Sequence, residues 1–176
     1  MVIVGSVRPV QAGNGIARWV LNRAAERTGS VEYALTDLRT LNLPFYAEET
    51  PPMMSNGPTT EEGKAWSQMV SEADGFIFVM PEYNHGYSPA LKNAVDYLYS
   101  EWKDKPAAFV GYGSAGATRS ISQFRDVLEF LGLNLQDDQV GIKDIWEALD
   151  ADGNVKPDKV TGDLNALFDN LERSLN

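Results

Sequence analysis

The sequence predicts an α/β fold, a five-stranded parallel sheet with helices on both faces, and three observations carry that prediction. Short apolar runs bounded by Gly and Pro recur every few tens of residues, segments of helical periodicity lie between them, and 176 residues suit one such domain spanning residues 1–176. The runs are Val2-Ile3-Val4, Val31 to Leu35, Phe76 to Met80, Ala107 to Val110, and a weaker one from Leu133 to Val140. Each is short enough for a strand, and repeated βαβ units make the sheet parallel.

Between the first two runs, Ile16, Ala17, Val20, Leu21, Ala24 and Ala25 form a helical stripe. Before the third run, Ala65, Trp66, Met69, Val70 and Ala73 form another; Thr60, followed by Glu61 and Glu62, supplies a polar N-terminus with acids that oppose the helix dipole. Leu91 to Tyr99 and Ile121 to Leu131 follow as helices, the second with Phe124, Val127, Leu128 and Leu131 on one face and Gly132 as its stop. Leu164 to Leu175 closes the chain with Leu164, Leu167, Phe168, Leu171 and Leu175 at helical spacing. Residues Arg39 to Thr59 hold four of the nine prolines, which exclude a regular helix and predict a long loop. Such a loop either flanks a ligand or subunit contact or is a plain surface excursion.

A formal net charge of −10 repels a phosphate backbone, so nucleic acid is not an expected partner. It leaves room for a small anion, because backbone N–H groups and one arginine reverse a local field. The absence of cysteine removes disulfides, thiolate metal sites and thiol nucleophiles; any redox chemistry must come from a cofactor. No apolar run approaches the roughly 18 residues of a membrane span and no signal segment precedes the first strand, so a cytoplasmic protein is expected.

Ligands of open parallel sheets bind beyond the carboxyl ends of the strands. Three turns there are unusual. After the first strand, Gly5-Ser6-Val7-Arg8-Pro9-Val10-Gln11-Ala12-Gly13-Asn14-Gly15 leads into a helix near Ile16. Glycines, a helix N-terminus, the polar Ser6 and Asn14, and the Arg8 charge suit a phosphate; an ordinary βα turn reads almost the same way. The spacing matches neither G-x-G-x-x-G nor the P-loop. After the third strand, Pro81-Glu82-Tyr83-Asn84-His85-Gly86-Tyr87-Ser88-Pro89 could line a flat heteroaromatic ring, or could be a turn that caps the next helix through Ser88. After the fourth, Gly111 to Arg119 is a small-residue turn that either leaves room for a ligand or only meets a positive φ. All three fall on one edge of the predicted sheet, which suggests one site.

In these turns the sequence resembles the NADPH-dependent FMN reductases, relatives of flavodoxin that include enzymes acting on quinones, azo dyes and chromate. The resemblance covers nearly the whole chain and is most specific at Pro81 to Tyr87 with Leu91-Lys92-Asn93-Ala94-Val95-Asp96, supported by Gly5 to Pro9 and Gly113 to Gly116. It implies a flavodoxin-like three-layer sandwich with strand order 2-1-3-4-5. It further implies FMN held at its phosphate by Ser6, Arg8, Asn14, Gly15 and Ile16, contacted at its ring by Pro81, Glu82, Tyr83 and Asn84, and lined by Ser114, Ala115 and Gly116. By the same resemblance no side chain is a nucleophile or general acid, NADPH or NADH is the electron donor, a small molecule is the acceptor, and the chain forms a homodimer or homotetramer. The chain departs from the family at Gln11, often arginine, and at Ala117, often glycine; the first bears on phosphate affinity, the second on the width of the third turn. A flavodoxin-like electron carrier and a cofactor-free binding domain are the competing readings, the former disfavoured by Gly5-Ser6-Val7-Arg8 where a Ser/Thr-rich loop would stand.

His85, the only histidine, either relays a proton or contacts substrate beside the ring, or shapes the turn or contacts another subunit. Asp150 to Asn154 resembles a calcium loop but carries Thr161 where the loop's final Glu would fall, which favours a solvated turn. Trp19, Trp66, Trp102 and Trp146 read as packing residues.

Overall fold

The computed structural model describes residues 1–10 and 12–175. Its strands are β1 (Val2–Val4), β2 (Leu35–Asp37), β3 (Phe76–Pro81), β4 (Pro106–Tyr112), β5 (Asn134–Ile142) and β6 (Val160–Thr161); its α-helices are α1 (Gly13–Ala25), α2 (Leu38–Leu41), α3 (Glu61–Glu72), α4 (Pro89–Asp96), α5 (Thr118–Phe130) and α6 (Leu164–Arg173). The strands form one sheet in the order β2-β1-β3-β4-β5-β6. All pairs are parallel except β5 with β6.

The expected order 2-1-3-4-5 therefore holds, with one correction: a sixth strand. Val160 and Thr161 add antiparallel to Ile142 and Gly141, a pair too short to leave an apolar run in the sequence. Strand two is also displaced. Residues 31–34 precede β2 rather than forming it, because the Tyr33 ring packs edge-on against Phe168 of α6 and its hydroxyl donates to Glu172. The Arg39 to Thr59 loop begins with the four-residue helix α2 and contains a 3-10 turn at Pro52–Met54. α4 ends at Asp96 rather than Tyr99, and α5 starts at Thr118, ahead of its apolar stripe.

Alternation along β3 separates the two layers of the core. Phe76, Phe78 and Met80 face α3, α4 and α5 with Trp66, Trp102 and Phe109; Ile77 and Val79 face α1 and α6 with Val20 and Phe168. β3 and β4 are buried along their whole lengths, as sheet centres covered on both faces require. Thr60 caps α3 by accepting the Gly63 N–H at 3.1 Å, as its position predicts, and Gly132 (φ +80°) ends α5. Trp66 and Trp102 are core residues in edge contact, whereas Trp146 is exposed. No helix among the described residues is long and apolar enough to cross a membrane.

Arg27, just beyond α1, clamps α6. Its Nε lies 3.1 Å from Glu172 Oε1 and its Nη2 lies 3.0 Å from Glu172 Oε2 and 2.5 Å from Asp169. Hydrogen bonding to this guanidinium holds the Glu172 carboxyl below its ordinary value of 4.5. A depressed folded-state pKa stabilises above the unfolded value and is lost as pH falls through the folded one. Arg27→Ala is expected to cost about 1–2 kcal/mol at neutral pH. Urea titrations over a pH series should also show a weaker loss of stability on acidification below the ordinary carboxylate value than in the parent.

Candidate functional site

The three turns meet at the carboxyl edge, joined by side chains of the second. Tyr83 reaches back to the first turn, its hydroxyl 2.6 Å from Ser6 Oγ. Glu82 reaches forward: α5 has no side-chain cap of its own at Ala117, and Glu82 Oε2 accepts from the N–H groups of Arg119 at 3.2 Å and Ser120 at 3.4 Å. Ser120 Oγ donates to the Pro81 carbonyl at 2.8 Å, completing the stitch. Ser88 caps α4 by accepting the Leu91 N–H and also donates to the Gly5 carbonyl, so the helix-capping and site readings of this turn are both true of its geometry.

Residues 83–86 are a tight hairpin. Tyr83 and Gly86 exchange both backbone hydrogen bonds, at 2.9 and 3.0 Å, across Asn84 (φ 51°) and His85 (φ 69°). Two consecutive positive φ values are the type I′ pattern. His85 is exposed, and its carbonyl is anchored by Gln123 Nε2 at 2.9 Å. This geometry favours the turn-shaping role. His85→Gly is expected to retain turnover and gain about 0.5 kcal/mol, left-handed strain being exchanged for glycine's chain entropy; thermal melts and steady-state rates check it, and loss of activity would restore the proton-relay role.

Arg8, Glu82, Tyr83 and Asn84 line one open depression with Tyr87 and Pro89. Arg8 is exposed and forms no salt bridge among the described residues. Gly13, Asn14 and Gly15 form the first turn of α1, where amides lack partners within the helix, and Ala12 provides no side-chain cap. Asn14 Nδ2 donates to Asp37 Oδ2 at 3.0 Å, which orients the amide. Ile16, the last of this set, has its N–H on the Ala12 carbonyl at 3.0 Å and its side chain fully buried, which leaves the amides before it as the unpartnered ones. Gln11 lies outside the described residues. Gly5 and Gly15 permit close packing: a Cβ would stand 2.5 Å from Leu91 Cδ1 at Gly5 and 2.8 Å from Leu149 Cδ1 at Gly15.

Ser114, Ala115 and Gly116 do not line the depression; Gly113 reaches it through Glu82, whose Cβ would lie 3.4 Å from an added methyl. Ser114 accepts the Asp144 N–H, and Gly116 (φ +78°) lies against Gly141 of β5. Ala117 adopts φ 59°, a conformation that favours glycine; its methyl points toward Gly111 of β4 rather than across the turn. Asp150 spends its carboxylate on its own turn, accepting from Asp152 N–H at 3.0 Å and Asn154 N–H at 2.8 Å.

Tyr112, which the sequence places in the third turn without a role, is the last residue of β4. Its hydroxyl is buried with only the Ser6 hydroxyl beside it, which is itself bonded to Tyr83, and Asn14 Oδ1 is buried without a hydrogen-bond partner among the described residues. Burial raises the Tyr112 pKa, and the neighbouring Ser6 hydroxyl opposes that only in part. A buried orphan hydroxyl is costly unless a ligand satisfies it. Two such atoms beside Ser6 and the α1 N-terminus fit a polar, phosphorylated ligand. Asp37 was likewise invisible, since nothing in the sequence pairs it with Asn14.

Fold and edge together define a flavodoxin-like α/β protein with its ligand site at the sheet's carboxyl end. The family described as NADPH-dependent FMN reductase matches residues 1–147, and the chain belongs to it. It is 40% identical over 136 residues to an NAD(P)H-dependent FMN reductase of Schizosaccharomyces pombe, covering 77% of this chain and 68% of that one. It is 28% identical over 176 residues to a 2-hydroxy-1,4-benzoquinone reductase of a Burkholderia species, covering 96% and 91%. Among solved structures, the flavoenzyme NAD(P)H:(acceptor) oxidoreductase of Paracoccus denitrificans superposes with a TM-score of 0.71 at 27% identity, covering 99% of this chain and 93% of that one.

Proposed function

We propose that this chain is a single FMN-binding domain over residues 1–176 that passes electrons from NADPH or NADH to a small acceptor, a flavin or quinone. The observation that carries the reading is the junction of all three turns, through Tyr83 to Ser6 and through Glu82 to α5, in a chain of this family. FMN, when bound, would supply the redox chemistry that the side chains of this chain lack.

The protein's own part is binding and placement. Ser6, Arg8, Asn14 and the amide of Gly15 would hold the FMN phosphate at the positive end of α1. The flavin ring would be held at the second turn, Pro81, Glu82, Tyr83 and Asn84, with the third turn, Ser114, Ala115 and Gly116, standing behind Glu82 and outside the depression itself. The Glu82 and Ser120 bonds spend the side chain of one residue and the carbonyl of another on rigidity, so the second turn meets the ring through Tyr83 and Asn84. No group in the depression has to carry a proton as a catalytic residue. A second chain completes the assembly as a homodimer or homotetramer in the cytoplasm; Met53, Met54 and Phe130 are exposed apolar side chains available to such a contact.

The test uses one preparation. Protein incubated with FMN and desalted should retain flavin absorbance, quench flavin fluorescence, and oxidise NADPH steadily with benzoquinone as acceptor. Colourless protein would refute the cofactor assignment. Turnover only on addition of a protein partner would make it an electron carrier instead.

A further inference from the structure

A cleft of about 380 Å³ opens beside the depression and shares Arg8, Tyr83 and Pro89 with it. Its apolar wall includes Val7, Leu38, Leu43 and Phe45, and Arg8 and Arg39 stand at it. Two features are unusual. Phe45 is 83% exposed, yet its backbone is fixed on both sides: Asn93 Oδ1 accepts the Tyr46 N–H at 2.8 Å and Asn93 Nδ2 donates to the Pro44 carbonyl at 2.8 Å. Tyr97 adds a third bond to Pro44 at 3.0 Å. An aromatic ring left in water on an immobilised backbone is a face prepared for another flat ring. Arg39 is similarly placed. Asp37 Oδ2 holds its Nη2 at 3.3 Å and the Pro9 carbonyl lies 3.5 Å from Nη1, which leaves other guanidinium N–H groups uncommitted among the described residues. In a chain of net charge −10, Arg39, with Asp37 as its one carboxylate partner, keeps a cationic group at this mouth even with Arg8 engaged by the FMN phosphate.

A flat ring joined to a phosphate dianion satisfies both features. We infer that this cleft takes the 2′-phosphorylated adenosine end of NADPH, with Phe45 stacking on the purine and Arg39 gripping the 2′-phosphate, so that the chain prefers NADPH to NADH. The inference rests on the oxidoreductase reading for its ligand. The walls shared with the depression let one extended molecule occupy both.

The test is calorimetric titration of the FMN-treated protein with 2′-AMP, 5′-AMP and inorganic phosphate, which requires no turnover. 2′-AMP is expected to bind best, and Arg39→Ala to weaken it about tenfold, the value of one charge-assisted contact, without changing FMN affinity. Arg39→Lys should recover part of the loss. In steady state, Arg39→Ala should raise KM for NADPH about tenfold and leave KM for NADH alone. Equal loss with both nucleotides, 2′-AMP binding untouched in Arg39→Ala and Phe45→Ala, or phosphate binding as tightly as 2′-AMP would each overturn the assignment. Failure of NADPH oxidation with the 2′-AMP result intact would instead fault the enzymatic reading.

Discussion

Gly116→Val is expected to strip FMN from the protein and to cost roughly 2–4 kcal/mol of stability. Gly116 occupies φ +78°, where a side chain is strained whatever surrounds it, and its surroundings are closed. An added Cβ would lie 3.2 Å from Gly141 Cα and 3.4 Å from Gly141 C. Both are backbone atoms of β5, and no rotamer change can move them. Retreat on the β5 side is blocked as well, since a Cβ at Gly141 would stand 2.6 Å from Thr161 Oγ1 of β6 and 3.1 Å from the Gly116 carbonyl. The strain must then be relieved by displacing the turn that leads into α5, which breaks the register between Glu82 and the helix N-terminus. Gly153→Ala is the control: its φ is +85° with nothing within 4 Å of an added Cβ, so it isolates backbone strain of about 1–2 kcal/mol. Urea midpoints and flavin retained after desalting measure both variants. Equal stability losses, or flavin retained by Gly116→Val, would show that the approach of this turn to β5 does not govern the site.

The same pair of glycines marks what could be read in the sequence. Gly113 to Gly116 was visible as a small-residue turn at the end of a strand, but the partner that demands the smallness, Gly141, lies in a weakly apolar stretch with no distinguishing neighbours. Buried strands were legible because β1, β3 and β4 are apolar at every position, which needs no knowledge of partners. β2 was misplaced because its apolar-looking start, residues 31–34, turns Tyr33 onto α6 and joins the ladder only at the Ala34 carbonyl, which accepts the Val2 N–H at 2.7 Å. β6 was invisible because two residues cannot carry a period.

Within the site, Ser6, Arg8 and residues 81–84 stood out because their types are uncommon at the ends of apolar runs. Glu82 reads as a ring contact, and the structure adds that its carboxylate serves as the cap that α5 lacks. That is a bond across 37 residues of sequence, and local pattern does not contain it. Tyr112 escaped for another reason: it falls in the small-residue turn from Gly111 to Arg119, and nothing local marks it as the buried end of β4 with its hydroxyl at the site.

Trp102→Ala is expected to cost about 3–5 kcal/mol, the upper range for single core substitutions. Trp102 is fully buried between α4 and β4, with its ring centroid 4.9 Å from Phe76, 5.9 Å from Trp66 and 6.3 Å from Phe78. Its Nε1 donates to the Val95 carbonyl at 3.3 Å, near the C-terminal end of α4, so truncation leaves both a cavity and an acceptor that only water could satisfy. The loss is large against the 5–15 kcal/mol by which domains are stable, and it falls on the layer that supports α4 and, through Ser88, the Gly5 carbonyl of the first turn. The substitution should therefore lower the urea midpoint with an unchanged m-value and weaken FMN retention as temperature rises, before it alters flavin binding in the cold. Trp146→Ala, at a 72% exposed position, should stay within about 0.5 kcal/mol of the parent. If the two variants melted together, the aromatic cluster would not be what holds the α4 side of the sheet beneath the site, and the rigidity attributed to the first turn would need another source.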